Sequence, residues 1–291
     1  MNLIPCQGYA NHKPIFSIVI PTLNEEKYLP QLLGCLKAQT FSDFEIIHVD
    51  AQSQDKTREI AKDYSKHLSL KTYISKKKNV SFQRNLGAKQ AKADWIIFMD
   101  ADNILPNDFL LELKHQVEKN PKMDGFTCWL DVSSYPTRHK PTAQIINFGL
   151  STLNNTALGA LIGAKKVIFQ TVSFNEKIKY IEDGEFVKDL EEAGFVFKCL
   201  REPRYTYNMR RLEKEGTLKI SRTFLESRLY LLIKGDMENF NKYPMLGGDF
   251  YEKHQPNKFA HFIKKADFFL KQAPARQLKK AKKIWSLIDE D

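Results

Sequence analysis

Between Phe16 and Asp100 four short strand-like runs, FSIVIP, FEIIHVD, LSLKTYIS and WIIFMD, alternate with three segments of helical periodicity. This alternation constrains the fold more than any other feature. Strand, helix and strand over such short connections predict a parallel sheet with right-handed crossovers, open at its edges and covered by helices on both faces. WIIFM has no polar residue to turn toward water, as expected of a central parallel strand buried on both sides. The first helical segment, NEEKYLPQLLGCLKAQ, places Tyr28, Leu29, Leu32, Leu33 and Leu36 on one face, with Asn24 as its expected cap and Pro30 confined to the opening turn. Asp55 is the expected cap of the second helix, and the third is expected to begin at Ser81.

In open sheets of this kind a ligand sits beyond the carboxyl ends of the strands. Asn24 follows the first strand, Asp50 ends the second, and Asp100 and Asp102 follow the fourth. Asp100 and Asp102 are two residues apart, so an extended backbone points both the same way. Two carboxylates alone repel. A magnesium or manganese ion, which takes one or two protein carboxylates plus phosphate oxygens, removes the conflict. Acids and amides just past a strand also form turns and helix caps, and DNILPNDFL offers such a turn. Agreement of several strand ends favours the ligand reading.

Composition narrows the classes. Of 291 residues 42% are hydrophobic and 27% charged, which is the balance of a folded globular chain. The most apolar stretch, Ala143 to Ala164, is broken by Asn147, Asn154 and Asn155, and falls short of the roughly 20 apolar residues of a membrane span. The opening fourteen residues lack the pattern of a secretion signal and are expected to be a loose leader, so the expected location is the cytoplasm. Cys6, Cys35, Cys128 and Cys199 form no CxxC pair and are expected to be inert thiols. The net charge of +10 is concentrated in Lys66–Arg84 and around RQLKKAKK near the C-terminus. Neither run has the interleaved aromatics of a base-stacking platform, so no nucleic-acid partner is expected.

FSIVIPTLNEEKYLPQLL, EIIHVDAQSQDKT, RNLGAKQAKADWIIFMDADNILPNDFL and FNEKIKYIEDGEFVKDLEEAGF, in that order and spacing, resemble the successive motifs of family 2 inverting glycosyltransferases of the GT-A fold. The resemblance runs from about Phe16 to about Phe197. It implies an α/β catalytic domain with a mostly parallel sheet, expected over residues 15–205; the residues after it, 206–291, are expected from their own composition to form a basic, mainly helical extension. The resemblance also implies a nucleotide-diphospho-sugar donor with base and ribose near Asp50 and Arg84, and bordering residues Thr22, Asn24 and Glu25. Asp102 would be the ligand of a manganese or magnesium ion, and Asp100 would touch the ribose or the metal's water shell. Ala51 and Gln52 depart from the family, which often places a second acid or Gly after the acid matching Asp50. On its own chemistry Arg84 suits stacking on a base or pairing with phosphate, and equally suits a bond to Asp50 or to a strand-end carbonyl.

Further along, GFTCWLDVSS reads as strand, TAQIINFGLSTLNN as helix and GALIGAKKVIFQ as a small-residue segment able to pass close under a sugar. Phe186, Val187 and Leu190 mark a helix that Gly194 ends, with Glu182 and Asp183 in its first turn, where amides and dipole favour an ionised acid. A plain cap would explain an Asp there. The resemblance implies instead that Asp183 is the general base and Glu182 its neighbour. The expected reaction is single displacement with inversion onto an unidentified acceptor hydroxyl, lipid-linked or on a glycan. Arg210 and Arg211 would clamp the diphosphate or simply start a basic helix. In the tail, Phe259, Phe262, Ile263, Phe269 and Leu270 among lysines suit either a helix lying on the inner face of an anionic membrane or one packed on the catalytic domain. Two rival classes are a sugar-phosphate nucleotidyltransferase, whose Gly-rich basic loop PTLNEEKYLP lacks, and a basic non-enzymatic module for nucleic acid or membrane.

Overall fold

A computed structural model describes residues 13–152, 157–178 and 181–209. The expected leader, apart from its last two residues, lies outside these. So does the extension beyond Met209, with Arg210, Arg211 and the basic tail.

The first half follows the expected alternation: β1 (Phe16–Thr22), α1 (Leu29–Lys37), β2 (Phe44–Asp50), α2 (Thr57–Tyr64), β3 (Leu70–Ile74), α3 (Val80–Gln90) and β4 (Trp95–Met99). β1 is parallel to both β2 and β4, and β2 to β3. The second half adds β5 (Asn103–Ile104), α4 (Phe109–Lys119), β6 (Gly125–Leu130), α5 (Lys140–Thr152), β7 (Leu161–Lys165), α6 (Glu182–Glu192) and β8 (Phe197–Tyr207). The eight strands form one sheet in the order β3-β2-β1-β4-β7-β6-β8-β5. β7 runs antiparallel between β4 and β6, so β6 and β8 point the same way as β4 and share its carboxyl rim. The sheet is therefore mostly parallel, as expected, and β8 carries it to Tyr207, past the expected domain end at residue 205.

Alternation along β1 divides two apolar layers. Phe16, Ile18 and Ile20 pack with Leu29, Leu32, Leu33 and Leu36 of α1 and with Phe109, Leu110 and Leu113 of α4. Val19 packs on the other face with Ala88 of α3 and with Phe186 and Leu190 of α6. Two glycines allow close approach: a Cβ on Gly87 would lie 2.3 Å from Val19 Cγ1, and one on Gly163 would lie 2.1 Å from Phe126 Cζ. Gly163 belongs to β7, the strand expected only as a small-residue segment. Its LIGAK sequence carries little strand signal because the large side chain at that position comes from the neighbouring strand.

Three helix starts differ from expectation. α2 begins at Thr57 with Lys56 as its N-cap and no side-chain cap bond, so Asp55 is not its cap. α1 begins at Leu29, so Asn24 does not cap it. Pro30 lies in its first turn, and the N-cap is Tyr28 without a side-chain bond. α3 begins one residue early at Val80, and Asn79 caps it by accepting the Phe82 N–H at 2.8 Å.

Candidate active site

The carboxyl rim holds two acid-centred groups on either side of β1. The first surrounds Asp50 at the end of β2, which has no solvent exposure. Its carboxylate accepts the Ser53 N–H at 3.0 Å and the Thr22 hydroxyl at 3.3 Å, with Arg58 Nε 3.8 Å away. Beneath it His48 lies between Thr22 Oγ1 at 2.8 Å and Thr72 Oγ1 at 3.0 Å. Burial drives the His48 pKa down to about 4, against the opposing pull of Asp50. The next loops are cross-tied: Ser53 Oγ accepts the Asn24 N–H, Asn24 Oδ1 accepts the Gln54 N–H, Thr57 Oγ1 accepts the Glu25 N–H and Asp55 Oδ2 accepts the Glu26 N–H. Asn24, at φ 56°, occupies the left-handed region that Asn tolerates better than most residues. Asn24 and Glu25 are half-buried at the rim, whereas Thr22 and Asp50 lie beneath it. Asp55 bonds the Thr57 N–H at 3.0 Å, serving the first turn of α2.

The second group surrounds Asp100, Glu182 and Asp183. Three successive residues of α3 point in different directions, because each step around a helix is about 100°. Gln83 Nε2 donates to the Thr22 and Val49 carbonyls at 2.9 and 2.7 Å, joining the ends of β1 and β2. Asn85 exchanges two hydrogen bonds with the backbone of Phe174, at 2.8 and 3.0 Å. Phe174 in turn stacks on Phe186 of α6 with centroids 4.2 Å apart. Between them, Arg84 is 2% exposed. Its Nη1 donates to Glu182 Oε1 at 2.9 Å, and its Nη2 donates to the Gly159 carbonyl at 2.8 Å and to Asp100 Oδ1 at 3.3 Å. The ring of Phe174 lies 5.2 Å below the guanidinium. Burial alone would lower the Arg84 pKa, but Asp100, Glu182 and Asp183 outweigh it and hold the pKa above the ordinary value.

Asp183 lies in the first turn of α6, entered through Ile181 at φ 62°, a strained backbone for a β-branched residue. Asp183 Oδ2 accepts the Gly159 N–H and Oδ1 accepts the Gly184 N–H, both at 2.7 Å. Burial and the neighbouring Glu182 raise its pKa to about 6, against the lowering effects of Arg84 and the two amides. A carboxylate has more acceptor positions than two amides fill, so Asp183 keeps capacity for a further donor. A Cβ on Gly159 would stand 3.1 Å from Asp183 Oδ2 and 3.3 Å from Arg84 Nη2.

Asp100 and Asp102 lie at the turn after β4, Asp100 with 39% side-chain exposure and Asp102 half-buried. The Asp100 N–H and the Asn103 side-chain amide both bond the Ala160 carbonyl, at 3.0 and 2.6 Å, so the segment opening β7 is fastened to the acid turn. Among the described residues no three His, Cys, Asp or Glu groups converge in a way that could hold a metal ion. Asp100 and Asp102 nevertheless offer hard oxygen donors on a partly open face, which suits an ion completed by phosphate oxygens.

The structure thus brings Asp100, Glu182, Asp183 and Arg84 together and places Asp102 beside them at the same turn. The expectation for Arg84 changes: both Nη atoms are engaged and almost none of its surface is open to a base. Of the two roles its chemistry allows, this is the bond to carboxylate and carbonyl, with Asp100, Glu182 and Gly159 as partners in place of Asp50. Sequence reasoning missed Gly159, Gln83 and His48. Only Gly159 left a trace, in the run of small residues around it.

The model for glycosyl transferase family 2 matches residues 17–177, more than half of the chain. The chain belongs to glycosyl transferase family 2. An uncharacterized glycosyltransferase of Haemophilus influenzae is 25% identical over 203 residues, covering 66% of this chain and 64% of that protein. Matched stretches of 108 and 101 residues cover 31% and 17% of two others, an uncharacterized glycosyltransferase EpsJ of Bacillus subtilis and TarS of Staphylococcus aureus, so the chain spans less than two thirds of each of these relatives. Among solved structures, residues 1–349 of S. aureus TarS in complex with UDP superpose with a TM-score of 0.53 at 23% identity, covering 66% of this chain and 60% of that one. Mannosyltransferase PcManGT from Pyrobaculum calidifontis, in complex with GDP-Man and Mn2+, gives 0.60 at 13% identity, covering 93% and 74%. These likenesses establish the GT-A type of α/β fold for this family member.

Proposed function

We propose that the protein transfers a sugar from a nucleotide-diphospho-sugar donor to an acceptor hydroxyl with inversion, using Asp183 as general base. The observation that carries the reading is the joining of Asp183 to Asp100 through Gly159 and Arg84, at the rim where ligands of such sheets bind. UDP on TarS and GDP-Man on PcManGT support a nucleotide-diphosphate donor.

Asp183 takes the proton of the acceptor hydroxyl as its oxygen bonds to the anomeric carbon. The bond from that carbon to the β-phosphate oxygen breaks on the opposite face, and the electron pair leaves with the nucleoside diphosphate. A base with a pKa near 6 is ionised at neutral pH yet basic enough to share a proton in the transition state. Asp102, with Asp100, would hold a manganese or magnesium ion, a use supported by Mn2+ on PcManGT. Such an ion, when bound, offsets charge on the departing diphosphate. Asn24 and Glu25, on the rim loop beside β1, border the donor. Asp50 and Thr22 hold the floor of that pocket in shape. The acceptor is a hydroxyl of a glycan or lipid-linked sugar, and we place the reaction in the cytoplasm. Arg210 and Arg211 remain candidates for the diphosphate, and the basic tail for contact with an anionic membrane.

The test is release of nucleoside diphosphate from UDP-N-acetylglucosamine, UDP-glucose and GDP-mannose by the full chain, with and without Mn2+, and the anomeric configuration of any product. Metal-dependent release with inversion is expected. Release from none of a broad donor panel, or a product of retained configuration, would overturn the reading.

A further inference from the structure

We infer that Arg84 is a positioning residue that holds the acid turn after β4 and the acids opening α6 at a fixed separation, through the single peptide segment at Gly159. This deepens the reading of Asp183 as base and rests on it.

A continuous path of short contacts connects the two sides. Asp100 Oδ1 is 3.3 Å from Arg84 Nη2, the same nitrogen is 2.8 Å from the Gly159 carbonyl, and the Gly159 N–H is 2.7 Å from Asp183 Oδ2. Nη1 closes a second route to α6 through Glu182 at 2.9 Å. One rigid planar fork thus touches β4's end, the start of β7 and α6, three pieces far apart in sequence. Lys could not replace it, because a single ammonium lacks the spaced donors.

Stability alone does not account for this residue. Burying a guanidinium carries a desolvation cost that well-packed apolar residues avoid, and exchanging such buried ion clusters for apolar groups is often neutral or stabilising. Arg84 Nε is moreover buried without a hydrogen-bond partner, so the site is not arranged to satisfy every donor. Donor binding does not account for it either, since Arg84 is 2% exposed and Phe174 covers one face. What the geometry does supply is a set distance between the group facing the leaving diphosphate and the group facing the acceptor. A displacement reaction is sensitive to that distance: misplacing reacting groups by about 1 Å can cost about 100-fold in rate. Gly159 fits the same account, because any side chain there would press on both Asp183 and Arg84.

The experiment compares the full-length wild type, Arg84→Ala and Gly159→Ala, with UDP-N-acetylglucosamine, UDP-glucose and GDP-mannose plus Mn2+ as probes. It measures kcat for nucleotide release and, by calorimetry, the Kd of the matching nucleoside diphosphate. Arg84→Ala is expected to lower kcat by about 100-fold, to leave the nucleotide Kd within about threefold, and to recover in part on adding millimolar guanidinium ion. Gly159→Ala, which removes no charge, is expected to lower kcat about tenfold with donor KM unchanged. It decides the matter if Arg84→Ala does not fold. Wild-type kcat in either folded variant would overturn the inference, as would a loss of nucleotide affinity in Arg84→Ala that matches its loss of rate. A wild type inactive on all donors would instead sink the transferase reading itself.

Discussion

Asp50 and Asp100 sit on either side of β1, each at or just past the end of a parallel strand, and the chain treats them in opposite ways. Asp50 has no exposed surface and shares its carboxylate among Ser53, Thr22 and Arg58. The side chain of Asp100 is 39% exposed, and the Arg84 that approaches it is shared with Glu182 and Gly159. A buried acid closed off from solvent and bonded by local donors acts as a fastening, because removing a partner leaves a buried group without its hydrogen bond. A partly open acid held on one side by a buried cation can meet a ligand on the other without dismantling the fold. On the proposed function, the rim therefore divides into a scaffold built on Asp50, His48 and Gln83, and a reactive part built on Asp100, Asp102 and Asp183, held by Arg84.

The sharpest way to break this division is Asp183→Asn. Transfer or donor hydrolysis is expected to fall by about 100 to 10,000-fold, with nucleoside-diphosphate affinity and melting temperature close to wild type. In the wild type, kcat/KM is expected to rise with pH and level off above an apparent pKa of about 6, as the base loses its proton. An unchanged rate in Asp183→Asn, or a flat profile from pH 5 to 8, would move the base elsewhere.

The scaffold side should respond to pH through stability. With the His48 pKa at about 4 in the folded chain and near the ordinary 6.5 in the unfolded one, the unfolded state binds more protons between those values. The contribution of His48 is thus fully present above about pH 6.5 and is lost as pH falls toward 4, by up to about 3 kcal/mol. Urea denaturation of wild type and His48→Gln at pH 7 and pH 4.5 checks this, and the variant should lack that part of the acid sensitivity. Equal acid sensitivity in the two would show that His48 takes up its proton without opening the network.

A smaller effect separates the acids themselves. Asp50→Ala is expected to lower the unfolding free energy by about 1–3 kcal/mol, since buried Thr22 and Ser53 donors lose their acceptor. Asp102→Ala, on the open side, should change it by less than about 0.5 kcal/mol. The same substitution should weaken Mn2+-dependent nucleotide binding by at least about tenfold, as removing groups around a metal does. The reverse ordering of the two stabilities would erase the distinction between scaffold and reactive acid.

Much of the first half could be read along the chain. β1, β2 and β4 are short runs rich in buried apolar residues, set apart by helical segments, so local pattern suffices. α6 was equally legible, because Phe186, Val187 and Leu190 share a face and Gly194 takes φ 87° where the helix ends. β7 was not, since Gly163 leaves room that Phe126 fills from another strand. Nor was the inward seat of Arg84: an arginine in the opening turns of a helix carries no local sign of which acids it will meet 16 and 98 residues away.

By itself, then, the order of residues determined the alternating elements, the parallel half of the sheet, the family, and the set of acids that end up at one rim. These depend on periodicity and on short-range backbone preferences, which act within a few residues. Which acid is sealed and which stays open, and which cation joins them, was decided only when β7 was inserted between β4 and β6 and α6 docked on Phe174. Burial and hydrogen-bond satisfaction belong to three-dimensional neighbours, and those neighbours come from segments that no local rule connects.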